Sequence, residues 1–318
     1  MKKISLIGAG NIGTILAFSI SRKKLGNILL VDVVDGLAKG KCLDLSQSLS
    51  IENLNSEING TTDLSQIKNS DAIIITAGIA RKPGMSRDDL IETNFSIMSE
   101  IGEAIKKYSP MSFVIYITNP LDAMVWSLLK TSGLKKNMVV GMAGILDTAR
   151  FKLFLSNEIG VSMDCIQTMV LGGHGDSMVP LLEHTSISGV PLKDFLKVHK
   201  IKIEKIHKIV ERTRNGGGEI VSLMKNSSAF FAPASSAIEM LEAYLFNQKK
   251  LLPCSTFLNG EYNCKDVCVG VPVVLGEKGV EKIVELELNK HELREFNKSV
   301  SSVEELVKKC KKLLVKLN

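Results

Sequence analysis

The residues best placed to do chemistry are one histidine, a few aspartates and three arginines. His174 sits in Gly172-Gly173-His174-Gly175-Asp176, flanked by three glycines. Tight backbone geometry there fixes the ring and leaves little bulk around it. With a carboxylate on one ring nitrogen, the other could exchange a proton with a substrate oxygen. Two aspartates compete for that partnership, Asp147 and Asp176. Asp147 and Arg150 are three positions apart in a helical stretch, so they share a face and point into one volume. Arg81 and Arg87 flank Pro83-Gly84 in a loop, and an arginine fork suits a carboxylate because it makes two parallel bonds. Proton transfer beside an anion-binding site is the chemistry implied.

Something must hold these groups, and the amino-terminal stretch indicates what. Ile4-Ser5-Leu6-Ile7 is a short strand that enters Gly8-Ala9-Gly10-Asn11-Ile12-Gly13, and an apolar-periodic helix leaves it. Gly8 permits the turn, Gly10 admits a pyrophosphate, and Gly13 brings helix and sheet together. The helix beginning near Asn11 offers free N–H groups to phosphates. A second strand, Ile28 to Val31, ends on Asp32, which suits the adenosine ribose hydroxyls and repels a 2′-phosphate. A dinucleotide site for NAD rather than NADP follows.

The first half continues as alternating strand and helix. Gly40 to Leu45 reads as helix and Glu57 to Thr61 as strand. The runs Asp71 to Thr76 and Phe113 to Thr118 are unbroken and apolar, as in a parallel sheet covered on both faces, and Met138 to Gly141 is a shorter one. Six such strands indicate a doubly wound sheet. Its ligands lie beyond the carboxyl ends of the strands, at Gly8, Asp32, Ala77-Gly78, Asn119 and the loops that follow. The second half reads as α+β. A helix with Ile203, Ile206, Ile209, Val210 and Thr213 on one face is expected to break at Asn215-Gly216-Gly217-Gly218, with a further helical pattern from Glu219 to Lys225. Pro233 to Asn247 reads as helix, Val267 to Leu275 and Val280 to Leu288 as a hairpin, and the stripe from Val303 to Leu314 as a docking helix.

Composition bounds the rest. The 318 residues are 45% apolar and 23% charged, with a formal net charge of +6. This is the balance of a folded globular protein. Lys193 to Arg214 is the most basic stretch, with eight Lys or Arg against three acids, but Phe195 alone among Phe, Trp and Tyr falls within it, no series of aromatics to stack bases, so no nucleic-acid partner is expected. No apolar run approaches the roughly 18 residues that cross a bilayer, so no membrane partner is expected either. Met1-Lys2-Lys3 opens directly into a strand, so no targeting peptide is expected. Six scattered cysteines suit a reducing cytoplasm, and none is spaced for a metal.

Taken together these motifs resemble the lactate/malate dehydrogenase family, and within it the malate dehydrogenases similar to lactate dehydrogenase. The resemblance runs from Gly8 to the last helix. It is carried by Gly8-Ala-Gly-Asn-Ile-Gly13, Asp32, Ile79-Ala-Arg81-Lys-Pro-Gly-Met-Ser-Arg87, Ile117-Thr-Asn119-Pro, Leu146-Asp147-Thr-Ala-Arg150 and Gly172-Gly-His174-Gly-Asp176. It implies an α/β fold: a doubly wound, mostly parallel NAD-binding (Rossmann) domain over 1–142 and an α+β substrate domain over 143–318. It implies His174 as acid/base, Asp147 as its partner, Arg150 on the substrate carboxylate and Arg87 on the carbonyl. Arg81 would face the C3 substituent, where lactate dehydrogenases place Gln, and Asn119 would orient substrate and cofactor. Ala229 stands where lactate dehydrogenases carry Thr and leaves room for a longer acid. The expected cofactor residues are Gly8, Gly10, Asn11, Ile12, Gly13, Asp32, Thr76, Ala77, Gly78, Asn94, Ile117 and Asn119. The expected reaction is oxidation of (S)-malate to oxaloacetate by a homo-oligomer, a tetramer before a dimer. Oxidation of L-lactate or another 2-hydroxy acid is the alternative, with a non-catalytic NAD-binding protein as the alternative of another class.

Overall fold

The computed structural model describes residues 1–79, 86–225 and 227–317, together with the backbone but not the side chains of Arg87 and Leu317. The first six strands are β1 (Lys3–Ile7), β2 (Asn27–Val31), β3 (Ile58–Thr61), β4 (Ala72–Ile75), β5 (Phe113–Tyr116) and β6 (Val139–Gly141). They pair in parallel in the order 3-2-1-4-5-6. Helices α1 (Asn11–Arg22), α2 (Leu37–Ile51), α3 (Arg87–Tyr108) and α4 (Leu121–Ser132) connect them. The central strands have no polar face. Every residue of β4 and β5 is fully buried, which explains their unbroken apolar runs. The order reverses between β1 and β4, so a crevice opens beyond their carboxyl ends.

The second half begins with α5 (Ala143–Ile159). Short antiparallel pieces follow, β7 (Ile166–Gln167), β8 (Val170–Leu171), β9 (Val179–Pro180), β10 (Ser186–Ile187) and β11 (Val190–Pro191). Then come α6 (Leu192–Val198), α7 (Ile203–Met224), α8 (Phe231–Leu245), β12 (Lys250–Asn259), β13 (Lys265–Gly276), β14 (Gly279–Ile283) and α9 (Lys290–Leu317). A smaller core of Phe151, Leu155, Ile166, Ile206 and their neighbours packs α5 against α7. This is the two-domain α/β architecture the sequence implies, with one difference in how the halves join. Strands β12 to β14 extend the parallel sheet antiparallel to it, through Ser255 opposite Gly141, giving nine strands in all. Strand β12 is not evident in the sequence, because Pro253 argues against a central strand. Its register partner is Pro272, so both missing donors fall at one level of the ladder. The expected hairpin closes as Gly276 opposite Gly279, but its second strand ends at Ile283, short of Leu288.

The expected break at Asn215 to Gly218 does not occur: α7 runs unbroken from Ile203 to Met224. Glycine disfavours helix by about 1 kcal/mol each, and contacts outweigh that here. Ile206, Ile209, Thr213 and Gly216 form one buried face of α7. No described helix is long and apolar enough to cross a membrane.

Candidate active site

The glycine turn is built by contact. Gly8 has φ of +112°, and a Cβ there would stand 2.5 Å from Thr76 Oγ1, while one on Gly13 would stand 1.9 Å from the Gly8 carbonyl oxygen. Neither position admits a side chain. Thr76 Oγ1 donates to the Gly8 carbonyl at 3.0 Å and ties the turn to the end of β4. Gly10 caps α1 without a side-chain hydrogen bond and faces open space. The first N–H groups of α1 therefore point at an unobstructed recess, as a pyrophosphate requires. Asp32 Oδ2 accepts from the Ala9 N–H at 2.7 Å and Oδ1 from the Val34 N–H at 3.0 Å. Each oxygen keeps a lone pair for a ribose hydroxyl. Lys41, which the sequence did not single out, donates from α2 to the Ala9 carbonyl at 2.6 Å and to Thr14 Oγ1 at 3.0 Å.

Beyond the turn a cleft of about 780 Å³ opens between the two halves. Ile12, Thr76, Gly78, Ile117 and Asn119 line it from the first half, and Arg150, His174, Arg214 and Ala229 from the second. Gly10 and Asn11 line a recess beside it. Asn94, expected among the cofactor contacts, is wholly buried. Its Oδ1 accepts from the Ile79 N–H, and its Nδ2 donates to the carbonyls of Ile79 and Asn119. It shapes the cleft wall from behind, joining the loops after β4 and β5, because its polar atoms are already taken by backbone. Arg81 lies outside the described residues, as does the side chain of Arg87, whose backbone opens α3.

At the cleft's inner end His174 Nδ1 lies 2.8 Å from Asp147 Oδ2, and Arg150 Nη1 donates to Asp147 Oδ1 at 3.2 Å. The other candidate partner, Asp176, stands exposed. Asp147 is itself almost wholly buried. An ionised carboxylate accepts only, so Nδ1 carries a proton and Nε2 is left for a ligand. Burial of the ring opposes its charge, but the carboxylates of Asp147 and Asp122 prevail over that and over Arg150, and hold His174 above the ordinary imidazole range.

Arg150 also explains the glycines of α7. Its side chain runs along Gly216 and Gly217, where a Cβ on Gly216 would come 3.1 Å from Arg150 Cδ. What reads in sequence as a helix break is a flat place on a continuous helix. The histidine loop is held from several elements. Gly172 and Gly270 exchange backbone hydrogen bonds, Ser299 Oγ of α9 accepts from the Gly173 N–H at 2.8 Å, and Asp122 Oδ2 of α4 accepts from the His174 N–H at 2.8 Å. Asp122 and Ser299 were missed in the sequence. Only Asp122 had a signal there, lying three residues beyond Asn119 in Asn-Pro-Leu-Asp.

Comparison with known proteins shows the family. The lactate/malate dehydrogenase NAD binding domain matches residues 2–141, and the alpha/beta C-terminal domain of the same enzymes matches residues 145–314. The chain belongs to the lactate/malate dehydrogenase family. Its first half is an NAD-binding domain, and the protein is an NAD-dependent 2-hydroxy acid dehydrogenase of that family. Solved structures of both kinds of member are similar to it. The malate dehydrogenase of Cryptosporidium parvum is 45% identical with a TM-score of 0.94, over 98% of this chain and 99% of that one. The malate dehydrogenase of Picrophilus torridus is 41% identical with a TM-score of 0.95, over 100% and 99%. The lactate dehydrogenase of Cryptosporidium parvum, solved with lactic acid and β-nicotinamide adenine dinucleotide, is 40% identical with a TM-score of 0.94, over 98% of each chain.

Proposed function

We propose that the protein interconverts (S)-malate and oxaloacetate, with His174 as the acid/base. The observation that carries the acid–base role is the line Arg150–Asp147–His174, which ends in the cleft on a ring nitrogen that has no hydrogen bond among the described residues. In oxidation, neutral His174 takes the proton of the 2-hydroxyl on Nε2, and Asp147 steadies the imidazolium that results. In reduction the imidazolium returns that proton to the carbonyl oxygen, whose growing charge Arg87 stabilises. Arg150 pairs with the C1 carboxylate. NAD, when bound, supplies the hydride acceptor for C2. Gly8, Gly10, Asn11, Ile12 and Gly13 would hold its pyrophosphate, Asp32 its adenosine ribose, and Thr76, Ala77, Gly78, Ile117 and Asn119 the wall toward the nicotinamide.

The choice of malate rests on Arg81. Oxaloacetate brings a second carboxylate whose enclosure without a partner costs several kcal/mol, and an arginine fork neutralises it. Ala229 on the cleft wall supports the longer acid. Lactate oxidation is the second reading, favoured by the likeness to a lactate dehydrogenase structure. Around this site we propose domains of 1–142 and 143–318. A homo-oligomer, a tetramer before a dimer, is supported by Leu43 and Ile51 standing exposed on α2. A reducing cytoplasm is supported by six free thiols. Replacing His174 with Asn tests the acid–base role. Turnover should fall by about 10²-fold or more with NADH binding kept, and undiminished turnover would refute it.

A further inference from the structure

The carboxylate that grips the histidine's backbone carries no proton in the chemistry above. Asp122 lies in the first turn of α4, only 4% exposed, three residues after Asn119. Its Oδ2 accepts from the His174 N–H at 2.8 Å. His174 is thus held by two aspartates from two domains, Asp147 at the ring and Asp122 at the main chain. The loop has little stiffness of its own, with glycine on both sides of the histidine. Without a fixed acceptor, its N–H would be an orphaned donor beside a flexible joint.

The other oxygen of Asp122, Oδ1, is buried beside the buried Ser255 Oγ of β12, whose hydroxyl favours the ionised carboxylate. Oδ2 is spent on the histidine's main chain. The groups facing the carboxylate are the His174 main chain and ring from the loop, Ser255 from β12 and, farther off, Asp147 from α5. The same four-residue stretch from Asn119 to Asp122 lines the cleft.

We propose that Asp122 is a positioning residue of the reaction: its Oδ2, by accepting the His174 N–H, sets the imidazole where Asp147 and the substrate oxygen both reach it. The acceptor, rather than the charge, does this. The role rests on the proposed function of His174. An asparagine can replace it, because its carbonyl accepts from His174 and its amide can donate to a lone pair of Ser255 Oγ. Alanine leaves nothing.

The experiment compares wild type, Asp122→Ala, Asp122→Asn and His174→Asn, each checked for folding by circular dichroism, with NADH affinity and steady-state kinetics on oxaloacetate and pyruvate. Asp122→Ala should lose at least tenfold in kcat on the preferred acid while NADH affinity stays within about twofold, and Asp122→Asn should recover most of that loss. Should Asp122→Ala not fold, Asp122→Asn decides alone, with near-wild-type kcat expected. The proposal is overturned by full kcat in folded Asp122→Ala, or by an Asp122→Asn enzyme that folds yet is as slow as His174→Asn. If instead wild type and His174→Asn turn over alike, the acid–base reading itself fails, a different result from failure at Asp122.

Discussion

Arg150 lies across Gly216 so closely that a single methyl group on that glycine would reach within 3.1 Å of Arg150 Cδ. The guanidinium of the same arginine donates to Asp147. Bulk at position 216 therefore acts on the substrate carboxylate and on the histidine's partner through one side chain. Gly216→Ala should improve helix propensity yet move Arg150 by a few tenths of an ångström. We expect roughly a tenfold fall in kcat/KM, mostly in KM, since small misplacements in such sites are costly. Steady-state kinetics with circular dichroism would check it, and unchanged kinetics would mean that Arg150 has slack.

The pH dependence should follow the upward shift of His174. Reduction of the oxo acid needs the imidazolium, so its kcat/KM at saturating NADH should be level at low pH and fall as pH rises through a value above the ordinary imidazole range. Oxidation needs the neutral ring and should rise over the same interval. Asp147→Asn removes the partner that raises His174 and should carry both limbs to lower pH, alongside a loss in rate. Stability carries the same sign. The contribution of charged His174 is present below the unfolded pKa and is lost as pH rises through the folded one.

A second titration lies away from the cleft. Burial works against the charge of Asp266, but Lys130 at 2.8 Å, Lys311 at 2.6 Å and Trp126 Nε1 at 3.1 Å donate to it and bring it down to about 2. Its stabilising effect is present above the unfolded pKa of roughly 4 and is lost as pH falls toward 2. The side chain is 34% exposed, so screening limits the gain to about 1 kcal/mol at neutral pH. Asn tolerates the φ of +54° at this position, so Asp266→Asn isolates the charge. Denaturant unfolding at pH 7 and pH 3 should show the mutant's deficit shrinking with acid.

Much of this was legible in the sequence because local rules suffice where contacts are local. Gly8, Gly13 and Asp32 occupy one strand–turn–helix–strand unit, and the buried strands β4 and β5 announce themselves by lacking polar residues. What escaped depends on partners distant in the chain. Pro253 opposes Pro272, Gly216 faces Arg150, and Ser299 meets Gly173 across more than a hundred residues. Asn94 shows the same limit. Family likeness pointed to the cofactor, while its bonds to the two loops it joins depend on distant residues. The choice between Asp147 and Asp176 came from family likeness, since spacing alone left both open.

Substrate selection should turn on Arg81. Closing over pyruvate would leave that arginine without its carboxylate, a penalty on the protein side. Arg81→Gln should cut oxaloacetate reduction by about 10²-fold or more and leave pyruvate reduction level or higher. Parallel assays of the two acids with the mutant and wild type give the answer, and a preference unmoved by the substitution would place the selection elsewhere.

The most direct test needs no mutant. In purified wild-type protein, kcat/KM for NADH-dependent reduction should favour oxaloacetate over pyruvate by about 10²-fold or more, the discrimination expected of a buried charge matched to its partner. An enzyme that prefers pyruvate would contradict the malate assignment.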